Sequence, residues 1–390
     1  MLATTVLSGL FTLVPPAAAD PPPGQCETAE PGGPAVAEMP WAQKWLAPER
    51  AWPHGTGRGI TVAVIDSGVD ADHPQLRDGV VLSGRDLLLP GDERANFDCV
   101  SHGTAVASII AAQPTKGIGF HGVAPDARIL PIRVSERDAS EQEGAAVNAA
   151  VFADAIRYAT DSGATVINIS LSMYADLAPV RDAVRYARSR DVLIVAAAGN
   201  AHNDEGPDPT TYPAAYPGVL GVAATTIEGT RLDASQEGRY VDIAAPGGGV
   251  LAATRESGHR YHDGTSFAAG FVSGTAALVR SVDPDLSAGE VANRLLATAT
   301  PAPGSPEAYG AGVVHPYRAV QDVLGTSETV ALPKAYPSPV DAAAKRRAAA
   351  WNDAGTLANR VAVGAGVLVV VLLIAAVVLP KGRRRGWRSG

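Results

Sequence analysis

From Gly59 onward the chain takes on the texture that most constrains its fold: short, wholly apolar runs alternate with stretches of helical periodicity. In order the runs are ITVAVI, ARILPIRV, ATVINISL, VLIVAAAGN, VLGVAAT and YVDIAA, and helices are predicted after His102, near residues 148–162, near residues 179–190 and from Gly264 onward. Strands without apolar/polar alternation are buried on both faces, and strands separated by helices pair in parallel. The fold class is therefore α/β, a central and mostly parallel sheet flanked by helices. In such sheets functional residues gather at the carboxyl ends of the strands.

The chain of 390 residues, 46% apolar, is long enough for one large core. Its net charge is −8, and the basic residues cluster late, at Lys345-Arg346-Arg347 and Lys381 to Arg385, which leaves the middle more acidic than the total. That balance speaks against nucleic-acid binding.

Both ends read as membrane segments. Residues 1–19 carry an apolar run from Val6 to Val14 and close on Ala17-Ala18-Ala19 before Asp20, the pattern of a secretory signal peptide, although a basic leading region is missing. Residues 20–48 form a Pro-rich extension. Residues 361–379 are 19 residues without charge, enough at ~1.5 Å per residue to cross a ~30 Å hydrocarbon core. They are predicted to form a transmembrane helix after a linker over 326–360, with a cytoplasmic basic tail over 380–390 and the catalytic domain on the extracytoplasmic side. In that compartment Cys26 and Cys99 are expected to oxidise to a disulfide.

Four residues stand where chemistry would be placed. Asp66 ends ITVAVI, His102 opens a small-residue helix, Asn200 ends VLIVAAAGN, and Ser266 lies between Gly264-Thr265 and a helix with Phe267, Val272, Ala276 and Val279 on its apolar positions. Each alone has a structural reading: a turn cap, a packed imidazole, a strand-end turn, a helix N-cap. Together they supply acyl-transfer chemistry. Asp66 would orient an imidazole, His102 would take the proton of Ser266, and Asn200 would donate to the oxyanion.

Asp66-Ser67-Gly68, His102-Gly103-Thr104, Ala198-Gly199-Asn200 and Gly264-Thr265-Ser266-Phe267-Ala268-Ala269 resemble the four signatures of the subtilases. Asp72-His73-Pro74, Gly122-Val123-Ala124-Pro125, Tyr212-Pro213-Ala214 and Tyr309-Gly310-Ala311-Gly312 extend the resemblance over residues 49–325, the expected catalytic domain. It implies a subtilisin-like fold, serine endopeptidase activity, the triad Asp66, His102, Ser266 and the oxyanion donor Asn200. It also implies a substrate-binding strand, Asn168-Ile169-Ser170-Leu171-Ser172-Met173, with Ser170, Leu171, Ser172, Met173, Ala198 and Gly199 as substrate-binding residues. Ser67 stands in place of Thr, Gly270 in place of the Pro after the nucleophile, and Ser172-Met173 in place of Gly-Gly, which is expected to narrow the pocket before the scissile bond. No Asp-rich loop has calcium spacing, so neither metal nor cofactor is expected.

The short extension leaves no room for a folded pro-domain. With one cysteine in that extension, a second before His102 and an anchor with a basic tail, the architecture resembles the mycosins, membrane-anchored subtilases of type VII secretion systems. That resemblance implies processing of exported protein or peptide substrates and membership of a type VII membrane complex, for which the acidic stretch 138–144 is a candidate contact. A general cell-surface protease and a scaffold that does not need its triad are the alternatives.

Overall fold

Helix α1 (Trp41–Leu46) and a single 3-10 turn (Pro48–Arg50) precede β1 (Thr61–Asp66), β2 (Arg85–Asp86), α2 (His102–Ala111), β3 (Arg128–Arg133), α3 (Ala149–Asp161), β4 (Val166–Ile169), α4 (Ala178–Ser189), β5 (Leu193–Ala197), β6 (Val219–Thr225) and β7 (Ile243–Pro246). A hairpin of β8 (Val250–Ala253) and β9 (His259–His262) leads into α5 (Thr265–Val282), then α6 (Ala288–Ala297), α7 (Pro306–Tyr309) and α8 (Pro316–Gln321). The computed structural model describes residue 26 and residues 29–89, 91–136, 148–203 and 206–324. The signal peptide, linker, transmembrane helix, basic tail and the stretch 138–144 lie outside the described residues, as does most of the segment 20–28. Among the described residues no helix is long and apolar enough to cross a membrane.

Seven strands form one sheet in the order β2-β3-β1-β4-β5-β6-β7, and every pairing is parallel. Successive residues of a strand point to opposite faces, and both faces here are apolar. Val62, Val64 and Val166 belong to the core beneath α2 and α5. Ala63, Ile65, Ile167 and Ile169 belong to the core beneath α3 and α4. Wholly buried strands explain why these runs show no alternation in sequence.

Local signals set the helix ends. Asn148 accepts from the backbone N–H of Ala150 at 3.0 Å to start α3, and Ser287 with Glu290 forms a capping box on α6. Gly270 allows α5 to run unbroken past the position usual for proline: a methyl there would stand 3.2 Å from Ile109 Cγ2, so α2 and α5 pack at close range.

The extension forms a strap rather than a core of its own. Cys26 is bonded to Cys99, Glu30 N–H donates to Cys99 O, Gly33 N–H to Ser257 O, and Gly119 N–H to Val36 O. Helix α1 then places Ala42 and Leu46 in the main core, so the packed unit begins before residue 49.

Candidate active site

Strand β1 lies between β3 and β4, and its last residue is Asp66, 1% exposed. His102, the first residue of α2 and 2% exposed, places Nδ1 2.6 Å from Asp66 Oδ1. The same carboxylate oxygen accepts from Ser67 N–H at 2.7 Å. With the aspartate on Nδ1, the other ring nitrogen, Nε2, lies on the far side of the imidazole from this contact.

The N-terminus of α2 is capped from outside. Ser101 has φ 62° and its side chain makes no cap. Ser67 Oγ takes Gly103 N–H at 2.9 Å, while Asp98 takes Thr104 N–H at 2.9 Å and Thr104 Oγ1 at 2.7 Å. Ser67 Oγ in turn donates to Asp98 at 3.0 Å. A methyl at Gly103 would overlap the carbonyl oxygen of Gly68, so only glycine lets the helix start this close to β1. Burial pushes the Asp98 carboxyl up to about 6, against the pull of its Thr104 and Val100 donors and with a smaller push from Asp66.

Arg255 ties this corner to the strap. Its N–H donates to Ser101 Oγ at 3.0 Å, its Nε to Asp98 O at 3.1 Å, and its Nη1 to Glu30 O at 2.8 Å. Beneath it, His73 Nε2 lies 3.2 Å from Gly258 O and His259 Nε2 lies 2.7 Å from Gln75 Oε1. Burial lowers both imidazoles from the ordinary 6.5 to about 4.

Ser266 is the second residue of α5 and is 2% exposed; its Oγ donates to Ser170 O at 3.3 Å, just past β4. The Phe267 ring centroid lies 5.3 Å from that of His102 and 4.7 Å from that of His262, which brings the start of α5 to the His102 corner. Thr265 orients Asn200. Gly199 N–H donates to Thr265 Oγ1 at 3.1 Å, and Thr265 donates to Asn200 Oδ1 through Oγ1 at 3.0 Å and through N–H at 2.8 Å. With two donors on the oxygen, the amide assignment is fixed and Nδ2 is the end turned away from Thr265.

The predicted substrate-binding residues divide. Met173 exchanges two 2.8 Å backbone bonds with Tyr212, and its side chain is buried in the core beside α4, so only Ser172 keeps a partly exposed side chain at this point. Ser170 and Leu171 are buried at the end of β4, one residue apart from that bridge. Facing them, Ala198 O accepts from Thr211 Oγ1 at 2.6 Å, and Gly199, at φ 103°, leaves no space for a methyl against Gln236 and Thr211. Thr265 was read only as part of its signature, and Asp98, Thr211 and Gln236, which carry the rest of this geometry, were not singled out from sequence. Asp98 alone left a trace there, a carboxylate four residues before a helix-opening histidine. Among the described residues no group of three His, Cys, Asp or Glu side chains is arranged to hold a metal.

The family model for the subtilases, peptidase S8, matches residues 57–312. The chain is 35% identical to thermitase of Thermoactinomyces vulgaris over 72% of this chain and 94% of that protein. It is 34% identical to mycosin-3 of Mycobacterium tuberculosis over 99% of this chain and 97% of that protein. The solved structure of MycP3 protease from the type VII (ESX-3) secretion system superposes with a TM-score of 0.65 at 35% identity, covering 76% of this chain and 92% of that one.

Proposed function

We propose, from the premise that the chain belongs to the subtilase family and is a serine endopeptidase homologous to the mycosins, that Asp66, His102 and Ser266 are its triad and that it processes exported proteins. The observation that carries the reading is the buried 2.6 Å contact of His102 Nδ1 with Asp66 Oδ1, beside a helix that carries Ser266 in its first turn. His102 Nε2 takes the Ser266 proton as Oγ attacks the scissile carbonyl, then returns it to the leaving amine. Asp66 holds the ring and stabilises its cation. Asn200 Nδ2 and the Ser266 N–H donate to the oxyanion, at the N-terminus of α5 where the helix dipole favours negative charge. The residue before the cut lies between Ser170-Leu171-Ser172 and Ala198-Gly199, with Met173 setting the wall through its backbone.

The finer reading concerns place. Residues 361–379 anchor the enzyme, the catalytic domain is extracytoplasmic, and the protein is a member of a type VII membrane complex. The support is the uncharged run itself and the full-length similarity to mycosin-3. Mass spectrometry of exported proteins tests both halves. Ser266→Ala is expected to leave a substrate uncleaved while export continues, whereas deletion of the gene or of residues 361–390 stops export. Equal loss of export in all three strains would remove the structural role.

A further inference from the structure

Strand β4 reads Val-Ile-Asn-Ile, and the asparagine is fully buried at the centre of the sheet, on the face shared by Val166 and covered by α5. A buried amide costs free energy that an isoleucine or valine would not, so its presence needs a geometric return. Asn168 Oδ1 accepts from Ser273 Oγ at 2.9 Å, and Asn168 Nδ2 donates to Ser170 Oγ at 3.1 Å. Ser273 is also fully buried. It lies seven residues after Ser266 on α5, two turns along the same face. The Ser170 carbonyl accepts from Ser266 Oγ at 3.3 Å.

These contacts close a circuit. It runs from Ser266 to Ser170, from Ser170 to Asn168, from Asn168 to Ser273, and back along α5 to Ser266. The helix that carries the hydroxyl is thus pinned to the end of β4 at two points, once directly and once two turns deeper. Because the Asn168 amide has an acceptor side and a donor side, both engaged, it fixes the rotation and the height of α5 together. Purely apolar packing of α5 on β4 would leave sliding and rotation limited only by side-chain shape.

We propose that Ser273 and Asn168 are positioning residues that hold Ser266 at its attack position relative to the substrate-binding strand. The inference rests on Ser266 being the nucleophile. Ser273→Ala removes the donor to Asn168, frees the amide to turn, and releases the Ser170 loop and the start of α5 from each other.

The test uses the full-length protein in detergent, with a chromogenic peptide, a fluorophosphonate probe of the nucleophile, and thermal denaturation. Ser273→Ala is expected to lower kcat about tenfold with KM unchanged, and to slow fluorophosphonate labelling by the same factor. Ser273→Thr restores both, since it keeps the hydroxyl. The double variant Asn168→Ala with Ser273→Ala is expected to be no slower than Asn168→Ala alone, because the two act as a unit. Should Ser273→Ala not fold, Ser273→Cys, similar in volume and a much weaker donor, is read by the same criteria. Wild-type kcat and labelling rate in a folded variant, or losses that multiply in the double variant, overturn the inference. A wild-type enzyme whose Ser266 is not labelled overturns both this inference and the catalytic assignment it rests on.

Discussion

The N-terminus of α2, which presents His102, and the N-terminus of α5, which presents Ser266, are positioned by different kinds of group. Around His102 the partners include ionisable and covalent groups, Asp66, Asp98, Arg255 and the Cys26–Cys99 bond, beside the hydroxyl of Ser67. Around Ser266 they are neutral: Thr265, Asn200, Ser170, Asn168 and Ser273. The energy of charged contacts in a buried site depends on protonation and on redox state, while that of neutral hydrogen bonds does not. Sensitivity to pH and to reductant is therefore expected to be greater on the α2 side than at the neutral contacts around Ser266.

The largest expected effect erases the contrast. Ser266→Ala and His102→Ala each abolish peptide hydrolysis by about 10⁶-fold, and the double variant is no worse, since the two halves meet in one proton transfer. Single-turnover kinetics check this; losses that multiply would mean that the halves act separately. Next comes Asn200→Ala, expected to slow kcat by about 10²–10³-fold with the pH profile unchanged, as befits the neutral half. A shifted acid limb in that variant would break the comparison.

In the charged half, loss of the disulfide is expected to matter for stability more than for chemistry. The bond closes a loop with a sequence separation of 73, for which the chain-entropy account gives about 4 kcal/mol. Cys26→Ser should lower the denaturation midpoint and make the wild-type sensitivity to dithiothreitol disappear. The smallest effect is acid lability. His73 and His259 titrate near 4 in the fold against 6.5 ordinarily, so the unfolded chain binds more protons between those values. Their contribution to stability is complete above about 6.5 and is lost as the pH falls toward 4. Asp98 works in the opposite sense: titrating near 6 instead of 3.8, its folded form gains protons first as the pH falls and offsets part of that loss. His73→Gln with His259→Gln should flatten the fall in Tm between pH 6.5 and 4 by a few degrees. Thermal scans across that range that match wild type would remove the histidines from the account.

Strand runs and the four chemical residues were legible because they are local: wholly apolar segments, and Asp66, His102, Asn200 and Ser266 set against glycines at element ends. The supporting contacts were not, because they join distant positions and leave no period. Thr104 is capped by a residue six positions earlier, Asn200 is oriented from 65 residues away, and Asn168 is paired across 105. The β8–β9 hairpin was also missed; its four-residue strands sit beside Gly247-Gly248-Gly249 and are too short for a pattern. The placement of the Met173 side chain was hidden for a related reason. Nothing local reveals that its backbone pairs with Tyr212 and turns the side chain into the core.

Helix α5 packs against β4, β5, β6 and β7, and that arrangement has a consequence for biosynthesis. Asp66 and His102 are made early, but the serine follows the last strand of the sheet, and its helix packs across strands from most of that sheet. A chain interrupted between residues 102 and 266 carries the imidazole and the carboxylate without the serine. On the proposed triad, cleavage is expected only once α5 has docked on the sheet, late in the synthesis of the catalytic domain.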